Sequence, residues 1–469
     1  MNQSPSMTVA VDEVQSLYAK HNTIHVRSVN GVFSKWRWAL VWITQAIFYG
    51  LCWVPWNGRQ AVLFDIVERK FYLFGLVLWP QDVLYLAVLL IISAYALFLV
   101  TAIGGRVFCG YACPQTVYTE ILMWIEEKIE GERNARIKLD QQPMSARKLR
   151  IKATKHAAWI VVSLWTGFTF AGYFTPVVEL ARDLVSFELG PWQTFWIFFY
   201  AFATYGMAGF MREQVCKYMC PYARFQSVMF DPDTLIVTYD APRGEPRGAR
   251  GKSEDYRKAG KGDCVDCGVC VQVCPTGIDI RNGLQYECIG CSACIDGCDS
   301  VMDKLGYARG LIRYSTENAM AQNFGRREIL AHLVRPRVLV YSAVLVAITA
   351  ATAYSIAVRL PLKVDVIRDR GVLAREVEDG MIENVYTLRI MNTDEQRQRY
   401  RIRVSGLQGI ALVNAGETEV GPASTQSLVV SARVPPDAAP KGSQPINFDI
   451  ESLDDPALRL REKAVFMMP

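Results

Sequence analysis

Histidine is scarce in this sequence, and the C-terminal part of the chain also lacks cysteine. Only four of the 469 residues are histidine, and residues 359–469 contain neither histidine nor cysteine. A strong metal site in that region is therefore disfavoured, since the soft donors left there are methionine sulfurs. Met381, Met391, Met467 and Met468 could bind Cu(I), although ordinary packing is the simpler interpretation.

Charge is also low. Charged residues make up 21% of the chain and hydrophobic residues 51%, and the mean hydropathy is +0.12. The chain is too apolar for an ordinary soluble protein and long enough for about three domains. Residues 1–37 are polar, and no signal peptide is apparent before the first apolar stretch.

One polar stretch, residues 241–262, is rich in proline, glycine and charge. A solvated linker beside anionic lipid explains this composition better than a nucleic-acid patch, because no aromatic residues are interleaved with the charges. We expect no nucleic-acid partner.

Five uncharged stretches are long enough to cross a bilayer, for which about 20 apolar residues suffice. They are residues 38–56, 83–103, 157–178, 189–211 and 338–358. The loop 104–156 carries ten Lys or Arg, against three between the first two spans and one between the third and fourth. Because positive loops stay in the cytoplasm, we expect the N-terminus and residues 212–337 to be cytoplasmic and residues 359–469 to lie outside.

Eight of the thirteen cysteines form one run that occurs twice. The runs are Cys264-x2-Cys267-x2-Cys270-x3-Cys274-Pro275 and Cys288-x2-Cys291-x2-Cys294-x3-Cys298. This spacing is typical of 4Fe–4S clusters, and in paired runs the fourth cysteine usually serves the other cluster. Two four-thiolate zinc sites are the alternative, but those normally have two separated Cys-x2-Cys halves.

We therefore predict two 4Fe–4S clusters. The ligands of the first cluster are Cys264, Cys267, Cys270 and Cys298. The ligands of the second cluster are Cys288, Cys291, Cys294 and Cys274. Asp299 stands where a proline would follow the second run, which leaves the ligand count unchanged.

Two further cysteine pairs follow the second and fourth predicted spans. The first thiol motif is Cys109-x3-Cys113-Pro114 and the second is Cys216-x3-Cys220-Pro221, with Tyr111 and Tyr218 at their centres. This internal repeat predicts that the motifs lie symmetrically at the cytoplasmic interface. A spacing of four places both thiols of a motif on one helix face, about 5–6 Å apart at Cβ and close enough to chelate one ion.

The prolines indicate where new helices begin. Proline is favoured at the first helical position, so we expect Cys113 to cap a helix over residues 115–129 and Cys220 to precede another. A thiol at a helix N-terminus has a lowered pKa. Soft thiolates select Cu(I), iron–sulfur clusters or zinc, so four thiolates supplied with electrons could convert Cu(II) to Cu(I). A helix break with merely buried thiols is the alternative.

Other candidate ligands are weaker. His156 and His332 could complete a metal site near the cytoplasmic interface, but a lone histidine there is more often an anchor. His21 and His25 are weaker candidates still, and Cys52 is interpreted as a packing residue.

The C-terminal region has the period of β-strands. Apolar residues alternate with polar ones in four segments. The alternating sets are Tyr386, Leu388, Ile390; Tyr400, Ile402, Val404; Leu428, Val430, Ala432, Val434; and Ile446, Phe448, Ile450. Short alternating strands broken by turns predict an immunoglobulin-like β-sandwich, which we interpret as a docking module.

Taken with these motifs, the chain resembles the FixG/CcoG/RdxA-type accessory proteins of cbb3-type cytochrome c oxidase. The resemblance covers nearly the whole chain. It includes both thiol motifs and the stretches Pro55-Trp56, GRQAVLFD (58–65), FYLFG (71–75), WPQD (79–82), CPTGIDIRNGLQYECIGC (274–291) and GLIRY (310–314).

The resemblance implies a bacterial inner-membrane protein that takes part in oxidase maturation. It implies two 4Fe–4S clusters and a cupric reductase whose copper or redox thiols are Cys109, Cys113, Cys216 and Cys220. The expected partners are the copper ion as substrate or bound ion, oxidase subunits or copper chaperones, and a cytoplasmic electron donor; the chain could also form homo-oligomers. A quinone-linked electron conduit without copper chemistry and a non-enzymatic assembly scaffold are the alternatives, since the thiol motifs also resemble membrane subunits of nitrate and nitrous oxide reductase systems.

The expected architecture is a multi-domain membrane protein. A five-helix transmembrane bundle carries an inserted two-cluster ferredoxin domain of α+β type and a C-terminal immunoglobulin-like sandwich. The expected divisions are a cytoplasmic segment 1–37, spans one to four in 38–211, the ferredoxin domain 212–337, span five in 338–358 and a periplasmic domain 359–469.

Overall fold

The computed structural model describes residues 24–251, 258, 260–369, 371, 374–377, 380–414 and 416–469. His21 and part of the basic linker lie outside the described residues.

Helices dominate the first three quarters of the described chain. They are α1 Val32–Gly50, α2 Val83–Gly104, α3 Val107–Tyr111, α4 Pro114–Glu130, α5 Arg133–Gln141, α6 Ala146–Ala171, α7 Val177–Ser186, α8 Pro191–Thr204, α9 Pro221–Met229, α10 Ala241–Gly244, α11 Val269–Gln272, α12 Ala293–Leu305, α13 Glu317–Gln322, α14 Arg326–Leu333 and α15 Pro336–Ala357. Short 3₁₀ segments lie at Leu51–Trp53, Pro80–Asp82 and Ile280–Asn282, and π-helical segments at Tyr205–Met211 and Val215–Met219.

Strands occur in three regions. Between α1 and α2 are β1 Pro55–Trp56, β2 Arg59–Gln60, β3 Val62–Asp65, β4 Lys70–Leu73 and β5 Leu76–Leu78. Around the cysteine runs are β6 Ile236–Tyr239 and β7 Ile312–Ser315. The C-terminal region holds β8 Leu362–Arg368, β9 Arg375–Glu376, β10 Ile382–Asn392, β11 Gln398–Ser405, β12 Ala411–Val413, β13 Glu417–Val420, β14 Thr425–Val434, β15 Gly442–Ser452 and β16 Arg459–Met468.

Three helices of the described chain are long and apolar enough to cross a membrane: Pro80–Gly104, Pro191–Met211 and Pro336–Ala357. The other two expected spans are helical, as α1 and α6, but are not among these three. The reason is in the sequence, since α1 carries Lys35 and Arg37 and the first half of α6 is basic. The predicted five-helix bundle is therefore not confirmed, and membrane association rests on three helices.

Two predicted span boundaries were wrong. The first span was expected to run to residue 56, but α1 ends at Gly50 and the chain then forms a 3₁₀ turn and β1. The third was expected over 157–178, but α6 begins eleven residues earlier, where Ser145 accepts a hydrogen bond from the Lys148 amide, and ends at Ala171. Helix α1 ends where glycine and proline occur. Helix α6 begins at a polar cap, Ser145, that lies outside the apolar stretch.

Two helices, α6 and α8, approach each other closely at one glycine. α6 packs along α8, and a Cβ placed on Gly167 would lie 2.1 Å from the carbonyl oxygen of Ile197. Only glycine allows the two backbones to approach this closely. The second helix pair, α2 and α15, also packs together.

The C-terminal region is a sandwich of two antiparallel sheets, as predicted. One has the order β12–β14–β10–β8, with β9 also paired to β10, and the other the order β13–β11–β15–β16. The predicted inward residues form its core: Tyr386, Leu388, Ile390, Tyr400, Val430 and Phe448 are all fully buried. In the same domain the buried carboxylate of Glu383 is held by Arg375 and by Arg433, the latter at 2.6 Å.

The sandwich docks on the small sheet formed by β3, β4 and β5. Met391 lies on the outward side of β10 by the strand period, yet it is buried against Val77 and Trp79. Asp82 holds Arg359 at 2.7 Å and also pairs with Lys363. Met391 is thus a packing residue. Met468, the other buried residue among the four methionines considered as Cu(I) ligands, packs in the separate core of the sandwich.

Candidate functional site

The two cysteine runs have the same backbone geometry. In each run the residue before the second cysteine has a positive φ, 55° at Asp266 and 68° at Gly290. The residue after that cysteine does as well, 65° at Gly268 and 59° at Ser292. Alternation of this kind turns successive N–H groups toward a common point, which favours an anionic group.

The structure brings the predicted ligands of each cluster together. Cys298, from the end of the second run, has Cys264, Cys267 and Cys270 as its thiol neighbours. In the same way Cys288 and Cys294 have Cys274, from the end of the first run, and Cys291 as neighbours. This is the exchange of fourth cysteines that the sequence assignment requires.

The surroundings of these thiols fit iron–sulfur clusters. All four predicted ligands of the second cluster line one small cavity, whose other walls include Ile280 and Ile289. Cys270 of the first run also lines this cavity. Four thiols around an apolar cavity suit a cube in which each iron takes one thiolate, and the predicted assignment leaves Cys270 to the first cluster. Within the described residues no three His, Cys, Asp or Glu side chains are placed to hold a single metal ion, so the arrangement does not match a mononuclear zinc site. The individual ligand assignment stays a prediction.

The thiol motifs do not form continuous helices. Cys109 lies in the short helix α3, whereas Cys113 is the N-cap of α4. Cys216 lies in a π-helical segment, and Cys220 is the N-cap of α9. The predicted caps are confirmed. The prediction that each pair shares one helix face was wrong, because the proline after the second cysteine starts a new helix and the two cysteines of a motif therefore lie in different elements.

The backbone nevertheless follows the predicted repeat. The residue four positions before the first cysteine of each motif has a positive φ, 56° at Gly105 and 38° at Arg212. The four thiols are neighbours: Cys216 interacts with Cys113 and Cys220, and Cys109 with all three. We call these four side chains the thiol group.

The thiol group lies directly against the second cluster's ligands. Cys109 and Cys216 pack in one apolar cluster with Cys291 and Cys294. A Cβ placed on Gly110 would lie only 2.8 Å from the Cα and the amide nitrogen of Cys291. The two backbones are thus in van der Waals contact.

The central tyrosines of the two motifs differ in role. Tyr111 forms side-chain hydrogen bonds with Ser292 and Tyr314, and Tyr314 donates to the carbonyl oxygen of Gly290 at 2.8 Å. Tyr218 of the second motif is 63% exposed. The central tyrosine of the first motif therefore holds that motif to the loop that carries Cys291, whereas Tyr218 is largely exposed to solvent.

Burial, rather than the helix N-terminus, dominates the thiol pKa values. Burial raises the pKa of Cys109 to about 12 and that of Cys216 to about 11. It also raises the pKa of Cys113, although the backbone N–H groups of Gln115 and Thr116 act in the opposite direction. The predicted lowering of the pKa was wrong for Cys113, and metal binding to these thiols must displace protons.

A buried ion network contacts Arg212, which lies four residues before Cys216. Glu126 of α4 holds Arg212 at 2.6 Å, Arg136 at 3.5 Å and Lys155 at 3.7 Å. Burial alone would raise the pKa of Glu126, but Arg212 and the other two cations lower it below its ordinary value. The network ties α4, α5 and α6 to the residue at which the second motif begins.

The remaining candidate ligands have other partners. His156 Nδ1 lies 3.1 Å from the Tyr205 hydroxyl, and its ring stacks on Phe210. His332 and His25 lie 3.4 Å from Asp233 and Asp140, respectively. Cys52 is buried in an apolar core with residues of α6, α7 and α8. These residues act as structural anchors in the described chain.

Sequence reasoning missed the role of Gly110. The signal was present in the repeat, since the equivalent position of the second motif is Lys217. A glycine in one copy and a lysine in the other indicates that only the first copy has a backbone packed against it. Which backbone that is depends on a contact across 181 positions of the chain, from Gly110 to Cys291, and no local pattern encodes it.

The iron–sulfur and sandwich regions each match a known family. A family model described as a 4Fe–4S dicluster domain matches residues 211–317. A second, described as a 4Fe–4S binding domain, matches residues 86–131 and so includes the first thiol motif. A third, described as the IG-like fold at the C-terminus of FixG, matches residues 352–469.

Similarity to curated proteins extends over most of the chain. The chain is 38% identical over 432 residues to the nitrogen fixation protein FixG of Rhizobium meliloti, covering 86% of this chain and 82% of FixG. It is 36% identical over 441 residues to protein RdxA of Cereibacter sphaeroides, covering 92% of each. The ferredoxin-type protein NapH of Haemophilus influenzae is 26% identical over 212 residues, covering 40% of this chain and 66% of NapH.

The double cysteine run, the sandwich and this long collinear similarity agree with one another. The resemblance recognised from the sequence motifs is thereby confirmed. The chain belongs to the FixG/RdxA family of iron–sulfur oxidoreductases.

Proposed function

We propose that the chain is a membrane-bound cupric reductase. In this proposal electrons from the cytoplasmic 4Fe–4S clusters reduce Cu(II) at the thiol group, Cys109, Cys113, Cys216 and Cys220. The supporting observation is the packing of Cys109 and Cys216 against Cys291 and Cys294. An ion held by the thiol group would lie next to the second cluster.

The chain's own residues favour the reduced ion. Thiolates bind Cu(I) more strongly than Cu(II), so binding at the thiol group makes reduction easier. Each Cu(II) accepts one electron and leaves as Cu(I), while the thiols give up protons on binding. Tyr111 and Gly110 hold the first motif against the loop of Cys291, which keeps donor and acceptor at a fixed separation.

No three of the described side chains that could ligate a metal converge on one ion, so we expect the four cysteines to turn toward each other when copper binds. We propose that Cu(I) then supplies the assembly of a cbb3-type cytochrome c oxidase through oxidase subunits or a copper chaperone, and that a cytoplasmic donor reloads the clusters.

The proposed location is the bacterial inner membrane, with the cysteine runs in the cytoplasm and the sandwich in the periplasm. This orientation requires α1 and α6 to cross the membrane together with the three apolar helices. Its support is the ten cationic residues of the loop 104–156, since positive loops stay in the cytoplasm. Protease accessibility of the sandwich in intact spheroplasts tests the orientation.

A single-turnover experiment tests the reductase. The full chain, purified without oxygen and with its clusters reduced, is mixed with Cu(II), and Cu(I) is captured by a chromogenic chelator. The test variant changes all four thiols of the thiol group to serine, and the control is Cys52→Ser, which removes a buried thiol outside the site.

We expect the parent and Cys52→Ser to reoxidise their clusters and release one Cu(I) per electron. The four-serine variant, with its eight run cysteines intact, should hold its electrons. If that variant makes Cu(I) as fast as the parent, copper is reduced at the clusters themselves and the proposal fails.

An electron conduit is the second candidate, because the model that matches residues 86–131 is described as 4Fe–4S binding. In that case the thiol group holds a third cluster and passes electrons to a further acceptor such as quinone. Iron and acid-labile sulfide separate the candidates. The reductase predicts eight of each per chain and the conduit twelve, since each cube holds four irons.

In the scaffold alternative the chain has no enzymatic activity and acts only by docking. Removal of residues 359–469 tests it in cells and in the single-turnover assay. Cu(I) formation that survives the deletion supports catalysis in the membrane and ferredoxin parts. A chain that never reduces copper, yet still restores oxidase assembly, would support the scaffold.

A further inference from the structure

A buried arginine lies where the thiol group meets the second cluster. Arg106 directly precedes α3 and is only 5% exposed. Its two terminal nitrogens donate to the carbonyl oxygens of Tyr286, in the ferredoxin loop, and Ala223, in α9. The side chain thus joins three segments that carry cysteines: the first motif, the second motif and the second run.

The charge of Arg106 has no carboxylate partner in the part of the chain that the structure describes. Among the described residues no Asp or Glu oxygen lies within ion-pair distance of its guanidinium, and both of its hydrogen bonds are to neutral carbonyls. A buried, unpaired cation is costly. The groups that can compensate it are thiolates.

The thiols near Arg106 belong to the second cluster and to the thiol group. Arg106 and Cys288, a predicted ligand of the second cluster, line the same small cavity. Its electrostatic neighbours are Cys109, Cys288, Cys216 and Cys220. No ligand of the first cluster is among them.

Comparison of the two motifs shows that this charge is not part of the repeat. Three positions before the first cysteine stands Arg106 in one motif and Glu213 in the other, and both are buried. The backbone enters both motifs through the same positive-φ residue, at Gly105 and Arg212. The same position therefore carries opposite charges in the two motifs. Arg106 lines a cavity with Cys288, and Glu213 lines another with Cys291.

We propose that Arg106 is a positioning residue that makes the second cluster the easier of the two to reduce. A cluster gains one negative charge on reduction, and a nearby buried cation stabilises that charge strongly at low dielectric. Electrons entering the ferredoxin region then collect at the cluster beside the thiol group. The inference rests on the iron–sulfur part of the proposed function and is independent of copper.

A redox titration of Arg106→Gln in the full chain tests this. The two clusters are followed by electron paramagnetic resonance as the potential is lowered. We expect the reduction equilibrium of one cluster to fall by tenfold or more, which is 59 mV for one electron, and that of the other to stay unchanged. Cys267→Ser, which alters a predicted ligand of the first cluster alone, identifies which signal has moved.

Two controls separate charge from structure. Arg335→Gln removes a half-buried guanidinium that also donates to two backbone carbonyls, those of Asp233 and Ala102, and that pairs with Asp231; it should leave both potentials unchanged. Arg106→Lys keeps the charge and should retain most of the parent potential.

A surface variant covers the case in which Arg106→Gln does not assemble its clusters. Leu284 is 56% exposed and lines the same cavity as Arg106 and Cys288. Leu284→Glu should pair with Arg106 and lower the potential of the second cluster alone, whereas Leu284→Gln should not.

Equal shifts of both clusters, a shift of the first cluster only, or no shift in either series would overturn the proposal. Loss of Cu(I) formation with unchanged potentials would do so as well, while leaving the reductase itself standing.

Discussion

Replacing Gly110 by alanine tests the contact between the first thiol motif and the second cluster. The added Cβ would meet the Cα and amide nitrogen of Cys291 at 2.8 Å. Neither neighbour is a flexible side chain, so the strain cannot be relieved by a rotamer change. The two backbones must separate by about 0.6 Å, the difference between 2.8 Å and the 3.4 Å at which ordinary van der Waals contact begins.

Overpacking of this kind costs about 1–3 kcal/mol. The cost falls on one interface, because Gly110 has no left-handed φ and alanine is tolerated by its own backbone. We therefore expect Gly110→Ala to loosen the loop of Cys291 while leaving the helices intact. Its clusters should be lost at a lower temperature, and its Cu(II)-dependent reoxidation should be slower than that of the parent.

The assay follows the visible absorbance of the clusters during anaerobic heating, together with the single-turnover copper assay. Gly206→Ala is the matched control, since a Cβ there meets no atom within 4 Å. The reasoning is refuted if Gly110→Ala and Gly206→Ala both keep the cluster stability and the reoxidation rate of the parent.

Three further substitutions probe buried contacts, two of them near the site and one in the sandwich. Asp296→Ala removes the carboxylate that accepts the first amides of α1, from Phe33 and Ser34; it should cost about 0.5–2 kcal/mol and speed amide exchange at the start of that helix. Glu126→Gln leaves three buried cations without their shared carboxylate and should lower the thermal midpoint, at a cost of about 3–5 kcal/mol. Glu383→Gln should destabilise the sandwich by about 2 kcal/mol at neutral pH. Burial alone would raise the pKa of Glu383, but its two arginines lower it below the ordinary 4.5. The difference in stability between Glu383→Gln and the parent should therefore have its full size above pH 4.5 and shrink as the pH falls below that value.

The strands and the cysteine runs could be predicted because their signals are local. The sandwich buries one face of each strand, so Tyr386, Leu388 and Ile390 alternate with outward residues over a few positions. The cluster loops are equally local, since each supplies three ligands within seven residues. Met391 breaks the alternation because the sandwich docks on another sheet, and that contact is long-range.

Helix ends and motif geometry were harder to predict for a different reason. Hydropathy gave the apolar part of α6 but not its basic first half, which is helical through its cap at Ser145 and its ion pairs with α4. The thiol motifs combine a proline, a positive-φ residue and, in the second copy, π-helical turns. Such geometry depends on packing against neighbouring segments, so cysteine spacing alone placed the thiols on a helix face that does not exist.

The position of copper tests the central claim most directly. X-ray absorption at the copper edge, measured on the reduced full chain loaded with one copper, should show Cu(I) with sulfur ligands. The same measurement on the four-serine variant should show no sulfur-ligated copper. Copper with nitrogen or oxygen ligands only, or a thiol group already filled by a third iron–sulfur cluster, would contradict the account.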